Sequence, residues 1–163
     1  MIKVIDNFLN KKEFEDIQNS IVNNTYFPWY FSEYTDYLNE KGLDKSKYVH
    51  TFYENYNPNS NYYNLLLPII EKLKCKSLIK IKINSTNYST KLFEGSYHID
   101  TKYDCTTAVY YLNTNNGYTK FKKNNKIIKS IENRMVIFNS SLEHLGTNTT
   151  NTKRRLVLNF NYF

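Results

Sequence analysis

The chain has 163 residues, carries a formal charge of +7, and is 40% hydrophobic and 17% aromatic. That length fits one domain with room for a real core, and the composition excludes a disordered tail. No apolar run reaches the ~20 residues of a membrane span, and the opening Met1-Ile-Lys-Val-Ile-Asp6 has no signal-peptide pattern. Cys75 and Cys105, the only cysteines, stand in neither a zinc nor a redox spacing, so the expectation is a cytoplasmic protein with reduced thiols and no membrane partner. The lysines are scattered, apart from 72–82 and 120–129. The charge reads as a solvated surface, with a polyanionic partner as the alternative.

In chain order, Lys3 to Asp6 is a short apolar run that can open as a strand. Asn10 with Glu13 three residues on is a helix N-cap signal, and Phe14, Ile17 and Ile21 fall at helical spacing, which predicts a helix over 11–23. Phe27-Pro-Trp-Tyr-Phe31 reads as aromatic core filling on an irregular segment or short strand. Residues 32–47, polar and containing Gly42, read as a mobile loop. Tyr48 to Tyr53 alternates as a strand. Its His50 has no carboxylate two positions on and reads as a surface or core histidine. Asn57-Pro-Asn-Ser60 signals a turn. Residues 61–74 carry an apolar stripe from Leu65 to Leu73 and predict a second helix that starts or kinks at Pro68.

From residue 77 the pattern changes to short strands, over 78–83, 97–100, 106–113, 118–121, 126–131, 135–138 and 155–162, with Asn115-Asn-Gly117 as a hairpin-like signal. There is no internal repeat and no linker. The prediction is a single domain over 1–163, mainly β with N-terminal helices (α+β). Residues 77–163 would form a double-sheet jelly roll, a double-stranded β-helix of cupin-like kind, with the helical 1–76 packed on one sheet.

The chemistry gathers at His98-Ile-Asp100. In a strand, residues two apart point to one face, roughly 6.5–7 Å apart, so both side chains can converge on one metal ion. His144, one of only three histidines, follows the 135–138 strand and can return to the same end of a jelly roll. Two His and one carboxylate with open positions is the facial triad of non-heme Fe(II) oxygenases. Downstream, Leu156, Leu158 and Phe160 form an apolar face, and Arg155, Val157, Asn159 and Asn161 a mixed one. On that parity Arg155 is the pocket-facing fork for a carboxylate and Arg154 the outward residue, unless a bulge exchanges them. Thr107, Val109 and Tyr111 share a face. The Tyr111 hydroxyl could donate to the same carboxylate, or the ring could simply pack.

Together His98-x-Asp100, Thr107-Ala-Val-Tyr-Tyr-Leu-Asn113, Gly117-Tyr-Thr119, Asn133-Arg-Met-Val-Ile-Phe138, His144 and Arg155-Leu-Val-Leu-Asn159 resemble the Fe(II)/2-oxoglutarate-dependent dioxygenases, in their prolyl-4-hydroxylase-like branch and closest to the small phage and marine microbial forms. The opening Val4-Ile-Asp-Asn-Phe-Leu9 and Phe27-Pro-Trp29 are similar too. The resemblance implies a double-stranded β-helix holding iron through His98, Asp100 and His144. It implies Arg155 on the distal carboxylate of 2-oxoglutarate, with Tyr111 donating to it and Asn84 as a further polar contact. Arg134 would be structural. It also implies Fe(II), 2-oxoglutarate and O2 as cofactor and cosubstrates, with ascorbate as a candidate reductant, and oxidative decarboxylation to succinate and CO2 coupled to hydroxylation of a C–H bond. The substrate would be a peptidyl or prolyl side chain or a small molecule. Base demethylation ranks lower, because Phe160 and Asn161 stand where nucleic-acid demethylases carry a second Arg. Gly117 followed by Tyr118 departs from the Gly pair of many relatives. The rival reading is a non-catalytic jelly-roll module that binds nucleic acid or glycan.

Overall fold

In the computed structural model, residues 1–34 and 46–163 are described. Among them the chain order is β1 (Lys3–Ile5), α1 (Lys11–Ile17), β2 (Tyr30–Ser32), β3 (Lys47–Glu54), β4 (Asn57–Pro58), α2 (Leu67–Leu73), β5 (Leu78–Asn87), β6 (Thr106–Tyr111), β7 (Tyr118–Phe121), β8 (Ile127–Lys129), β9 (Arg134–Asn139), β10 (His144–Gly146) and β11 (Arg154–Tyr162). The larger sheet runs β1-β9-β6-β11-β5-β3-β2, with β4 paired to β3, and the smaller one runs β10-β7-β8. The strand pairs within both are antiparallel.

Alternation along β11 decides which side of the larger sheet faces what. Leu156, Leu158 and Phe160 are buried in one cluster with Phe14, Ile17 and Ile21 of the N-terminal helical segment. Burying each such side chain stabilises the fold by about 1.5–3 kcal/mol. On the other side Val157 joins Val109, Tyr111, Val136 and Phe138 against Phe121 and Ile128 of the smaller sheet. One face of the central strand is therefore roofed by helices and the other by the second sheet, which is the double-stranded β-helix the alternation predicts.

The first helix starts where the cap signal puts it. The Asn10 side chain accepts the Glu13 N–H at 2.9 Å, and the Asn10 N–H donates to Glu13 Oε2 at 3.2 Å. After Ile17 the helix widens into a π turn, Gln18–Val22. The second helix is shorter than the stripe suggested: Tyr63–Leu66 is a 3-10 turn, and α2 begins at Leu67 with Pro68 in its first turn, where a missing N–H leaves no bond unmade. The N-terminal 76 residues also supply β1 to β4, so they extend the larger sheet as well as covering it.

Two local expectations change. Residues 97–100 do not form a strand; His98 makes a single bridge to His144, and its ring meets the Ser96 carbonyl. Asn115-Asn-Gly117 is not a hairpin: β6 lies in one sheet and β7 in the other, so this turn carries the chain between sheets. The hairpin is β7–β8, closed by Asn125 at φ 52°, which asparagine adopts more readily than most residues. The loop expected over 32–47 lies largely outside the described residues. No helix among the described residues is long and apolar enough to cross a membrane.

Asn133 ties the N-terminus to the barrel. It sits at φ 56°, accepts the Leu9 N–H at 2.8 Å and the Tyr110 hydroxyl at 2.7 Å, and donates to the Leu9 carbonyl at 2.9 Å. Arg134 beside it pairs with Asp6 (Nη2–Oδ2 3.0 Å), and this hydrogen bond holds the Asp6 carboxyl below its usual range. Its contact is a structural one.

Candidate functional site

His144 opens β10, and its backbone exchanges two hydrogen bonds with His98, at 2.9 and 3.0 Å. That exchange brings the two imidazoles side by side with centroids 4.8 Å apart. Each ring also meets the carbonyl two residues before it: His98 Nδ1 lies 2.9 Å from Ser96 O, and His144 Nδ1 lies 3.0 Å from Leu142 O. A carbonyl only accepts, so Nδ1 carries the hydrogen in each ring and Nε2 presents its lone pair. Both Nε2 atoms face Asp100, His98 at 3.7 Å from Oδ1 and His144 at 3.7 Å from Oδ2.

The three ligand atoms lie within 4.8 Å of one another. In the tautomer with its hydrogen on Nδ1, each imidazole offers an Nε2 lone pair on the side of the carboxylate, and a divalent cation between them would attract all three groups. Carbonyls behind the imidazoles fix the tautomer as metal-binding histidines require. The donor set therefore fits an Fe(II)-type ion.

The pocket continues from the triad between the sheets. It is walled by Asn84 and Thr86 of β5, Val157 and Asn159 of β11, Thr119 of β7 and Thr147, with Arg155 among them. Arg155 is 5% exposed. Its Nε donates to Ser130 Oγ at 2.8 Å, Nη2 to Thr119 Oγ1 at 3.1 Å and Nη1 to the Thr147 carbonyl at 3.4 Å, and the guanidinium lies 5.5 Å from the Tyr111 ring centre. Two glycines make room for it. A Cβ on Gly117 would stand 2.6 Å from Arg155 Cδ and 2.5 Å from the Asn148 carbonyl, and one on Gly146 would stand 3.2 Å from Arg155 Nη1.

His98, Asp100 and His144 are thus together, and Arg155 and Asn84 share their pocket. Arg154 points to the helix side, where Nη2 donates to the Val22 carbonyl at 2.8 Å and the guanidinium lies 5.3 Å from the Trp29 ring centre. Tyr111 is fully buried behind the wall, its hydroxyl donating to Thr119 Oγ1 at 2.8 Å. The sequence assigned no site role to Thr119, Ser130 or Thr147, and put Asn159 only on the mixed face it shares with Arg155. Thr119 was recoverable, because alternation along 118–121 turns it inward together with Phe121. His50 stands apart from the site and in the core. Nδ1 meets the Pro28 carbonyl at 2.8 Å, Nε2 meets Ser60 Oγ at 2.7 Å, and burial pulls its pKa down.

No family model matches the sequence, and no curated protein matches it. Solved structures do. A prolyl hydroxylase from Trichoplax adhaerens, in complex with a hypoxia inducible factor oxygen degradation domain peptide, superposes with TM-score 0.70 at 16% identity over 99% of this chain and 83% of its own. The viral collagen prolyl hydroxylase of Paramecium Bursaria Chlorella virus-1, in its 2OG complex, gives 0.64 at 14% over 98% and 93%. An oxidoreductase of the 2OG-Fe(II) oxygenase family from Burkholderia pseudomallei gives 0.73 at 10% over 99% and 84%. The chain has the fold of the 2-oxoglutarate/Fe(II) oxygenases. Prolyl hydroxylases are among the structures that share this fold.

Proposed function

We propose that this protein is an Fe(II)- and 2-oxoglutarate-dependent dioxygenase that hydroxylates a C–H bond, releasing succinate and CO2. The observation that carries the reading is the convergence of His98, Asp100 and His144 within 4.8 Å in one pocket with the buried Arg155. His98, Asp100 and His144 would hold the iron, which with O2 and 2-oxoglutarate would supply the oxidative decarboxylation and the oxygen insertion.

The chain's own work is binding and orientation. Ser96 and Leu142 lock the two imidazoles in the tautomer that offers Nε2. Arg155 takes the distal carboxylate of 2-oxoglutarate as a fixed charge. Thr119 Oγ1 already accepts from Tyr111 and from Arg155, which uses both its lone pairs. Its own hydroxyl hydrogen is left to donate into the pocket, so Thr119 fills the role the sequence suggested for Tyr111, with Tyr111 bracing it from behind. Asn84 is the further polar contact, and Val109, Val157 and Phe93 exclude water around the reacting atoms. A peptidyl side chain is the preferred substrate, since a structural neighbour holds a peptide.

An anaerobic titration of chelator-stripped protein with Fe(II) and 2-oxoglutarate tests this reading through the visible charge-transfer band of the chelated cosubstrate. The wild type should develop the band, His98→Ala should lose it, and Arg155→Ala should need far more cosubstrate to reach it. A wild-type protein with neither the band nor saturable iron uptake overturns the proposal.

A further inference from the structure

Residues 120–129 carry five lysines and no carboxylate, and they form the β7–β8 hairpin at the edge of the smaller sheet. Thr119, Phe121 and Ile128 turn inward, so the lysines stand on the outer face and in the turn. Two of them are taken. Lys120 donates to Glu94 Oε1 at 2.9 Å, and Lys122 donates to Glu143 Oε1 at 2.8 Å. Lys123, Lys126 and Lys129 are exposed and pair with no carboxylate among the described residues. Lysines on an edge strand discourage pairing with other chains, and Lys129 fits that role. Lys123 and Lys126 lie in the turn, outside β8, where that role does not arise.

The turn stands level with the candidate metal centre. His98 bridges His144, His144 is in register with Phe121, and the Phe121 N–H donates to the Lys126 carbonyl at 2.9 Å. Neighbouring strands are about 4.8 Å apart, so the Lys126 backbone stands about 10 Å across the sheet from that of His144. An extended chain advances about 3.3 Å per residue. A peptide with one residue at the triad, leaving in this direction, therefore meets the turn about three residues on. Solvent reaches the triad, since the His98 and Asp100 side chains are 20% and 13% exposed.

We propose that this turn is an acid-reading arm of the substrate site. Lys123 and Lys126, with Lys129 behind them, take the carboxylates of an acidic peptide, three to four residues from the one oxidised at the triad. The inference rests on the oxygenase reading of His98, Asp100 and His144. Two observations favour a peptide over a nucleic acid. Proteins that bind single strands offer aromatic faces on which bases stack, and the one aromatic ring of 120–129, Phe121, is buried. Binding along a phosphate backbone also draws on many cations, whereas three lysines match a short run of Asp or Glu.

The test measures fluorescence anisotropy of two labelled peptide pools on the full chain loaded with Mn(II). Each pool has a randomised central residue, and the third and fourth positions on either side are Glu in one and Gln in the other. Three exposed ion pairs should make the Glu pool bind about tenfold more tightly at low salt, and high salt should shrink that advantage. The triple variant Lys123→Ser/Lys126→Ser/Lys129→Ser should bind both pools alike. Lys123→Glu/Lys126→Glu should instead prefer a pool with Lys in place of Glu. Equal binding of the Glu and Gln pools by the wild type, or an advantage that survives in the serine variant, overturns the inference. So does an oligothymidylate that binds more tightly than the Glu pool through the same lysines. Nearness to the ion is read by NMR, because Mn(II) at the triad should broaden the Glu side-chain proton signals of the bound pool. Unbroadened signals, with Mn(II) uptake still abolished by His98→Ala, overturn this inference and spare the functional reading. Wild-type and His98→Ala proteins that take up Mn(II) alike overturn the functional reading, and this inference falls with it.

Discussion

Replacing Gly117 by alanine should damage cosubstrate binding without touching a ligand. The new Cβ would stand 2.5 Å from the Asn148 carbonyl, 2.6 Å from Arg155 Cδ and 2.8 Å from Asn115 Oδ1, where ordinary contact begins at 3.4 Å. Of these neighbours the arginine stem is the most yielding, and it must retreat by about 0.8 Å. Its guanidinium is tied to Ser130, Thr119 and Thr147, so a retreat of that size strains or breaks one of those ties. Overpacking of this kind costs about 1–3 kcal/mol of stability. Misplacing one charge-assisted hydrogen bond to the carboxylate costs about 1.5–3 kcal/mol of binding, or roughly 10–100-fold in the Kd for 2-oxoglutarate. The anaerobic Fe(II) titration reads the Kd, and urea unfolding reads the stability. A Gly117→Ala protein with wild-type stability and wild-type cosubstrate affinity would refute the reasoning from close approach.

Three further predictions concern the scaffold. Asn133→Ala removes the partner of Leu9 and of the buried Tyr110 hydroxyl, and should cost about 2–4 kcal/mol in chemical denaturation, most of it from stranded polar groups. Asn10→Ala removes the helix cap and should cost about 1 kcal/mol in the same assay. His50 gives a pH dependence. Burial lowers its folded pKa below the ordinary 6.5, so the unfolded chain takes up the proton first. Its contribution is complete above pH ~6.5, falls by at most about 1.4 kcal/mol per pH unit below that, and stops falling below the folded pKa. Urea midpoints from pH 8 to 5 should show that slope for the wild type and a shallower one for His50→Asn, and equal slopes would contradict it.

The parity of 154–162 was legible because a central strand with one face on helices and one on a pocket writes that difference into alternate residues. Leu156, Leu158 and Phe160 against Arg155, Val157 and Asn159 is such a record. His98 and Asp100 were legible for a weaker reason. Spacing suggested a shared face, and they do converge, but through a bridge to His144 and not through a strand. The inward turn of Thr119 was legible in the alternation of 118–121, but which hydroxyl meets Arg155 was not. Whether Tyr111 or Thr119 reaches the pocket depends on how β7 of one sheet stacks over β6 of the other, and neither sequence segment records that stacking. Likewise Asn115-Asn-Gly117 has the residues of a hairpin turn, yet nothing local states that the strands it joins belong to different sheets.

The place of β11 has a consequence for how the protein comes into being. It lies between β6 and β5 and pairs with both along most of its length, but synthesis reaches it only at residue 154. Without it, β1-β9-β6 and β5-β3-β2 lack the strand that joins them, and each would present an unpaired hydrogen-bonding edge. Such edges invite pairing with other chains, and closing them needs contacts across long stretches of sequence, which is slow. The strand that carries Arg155 and Asn159 is also the one that seals the barrel, so a ribosome-bound chain that has not yet made it has neither a finished fold nor a finished pocket.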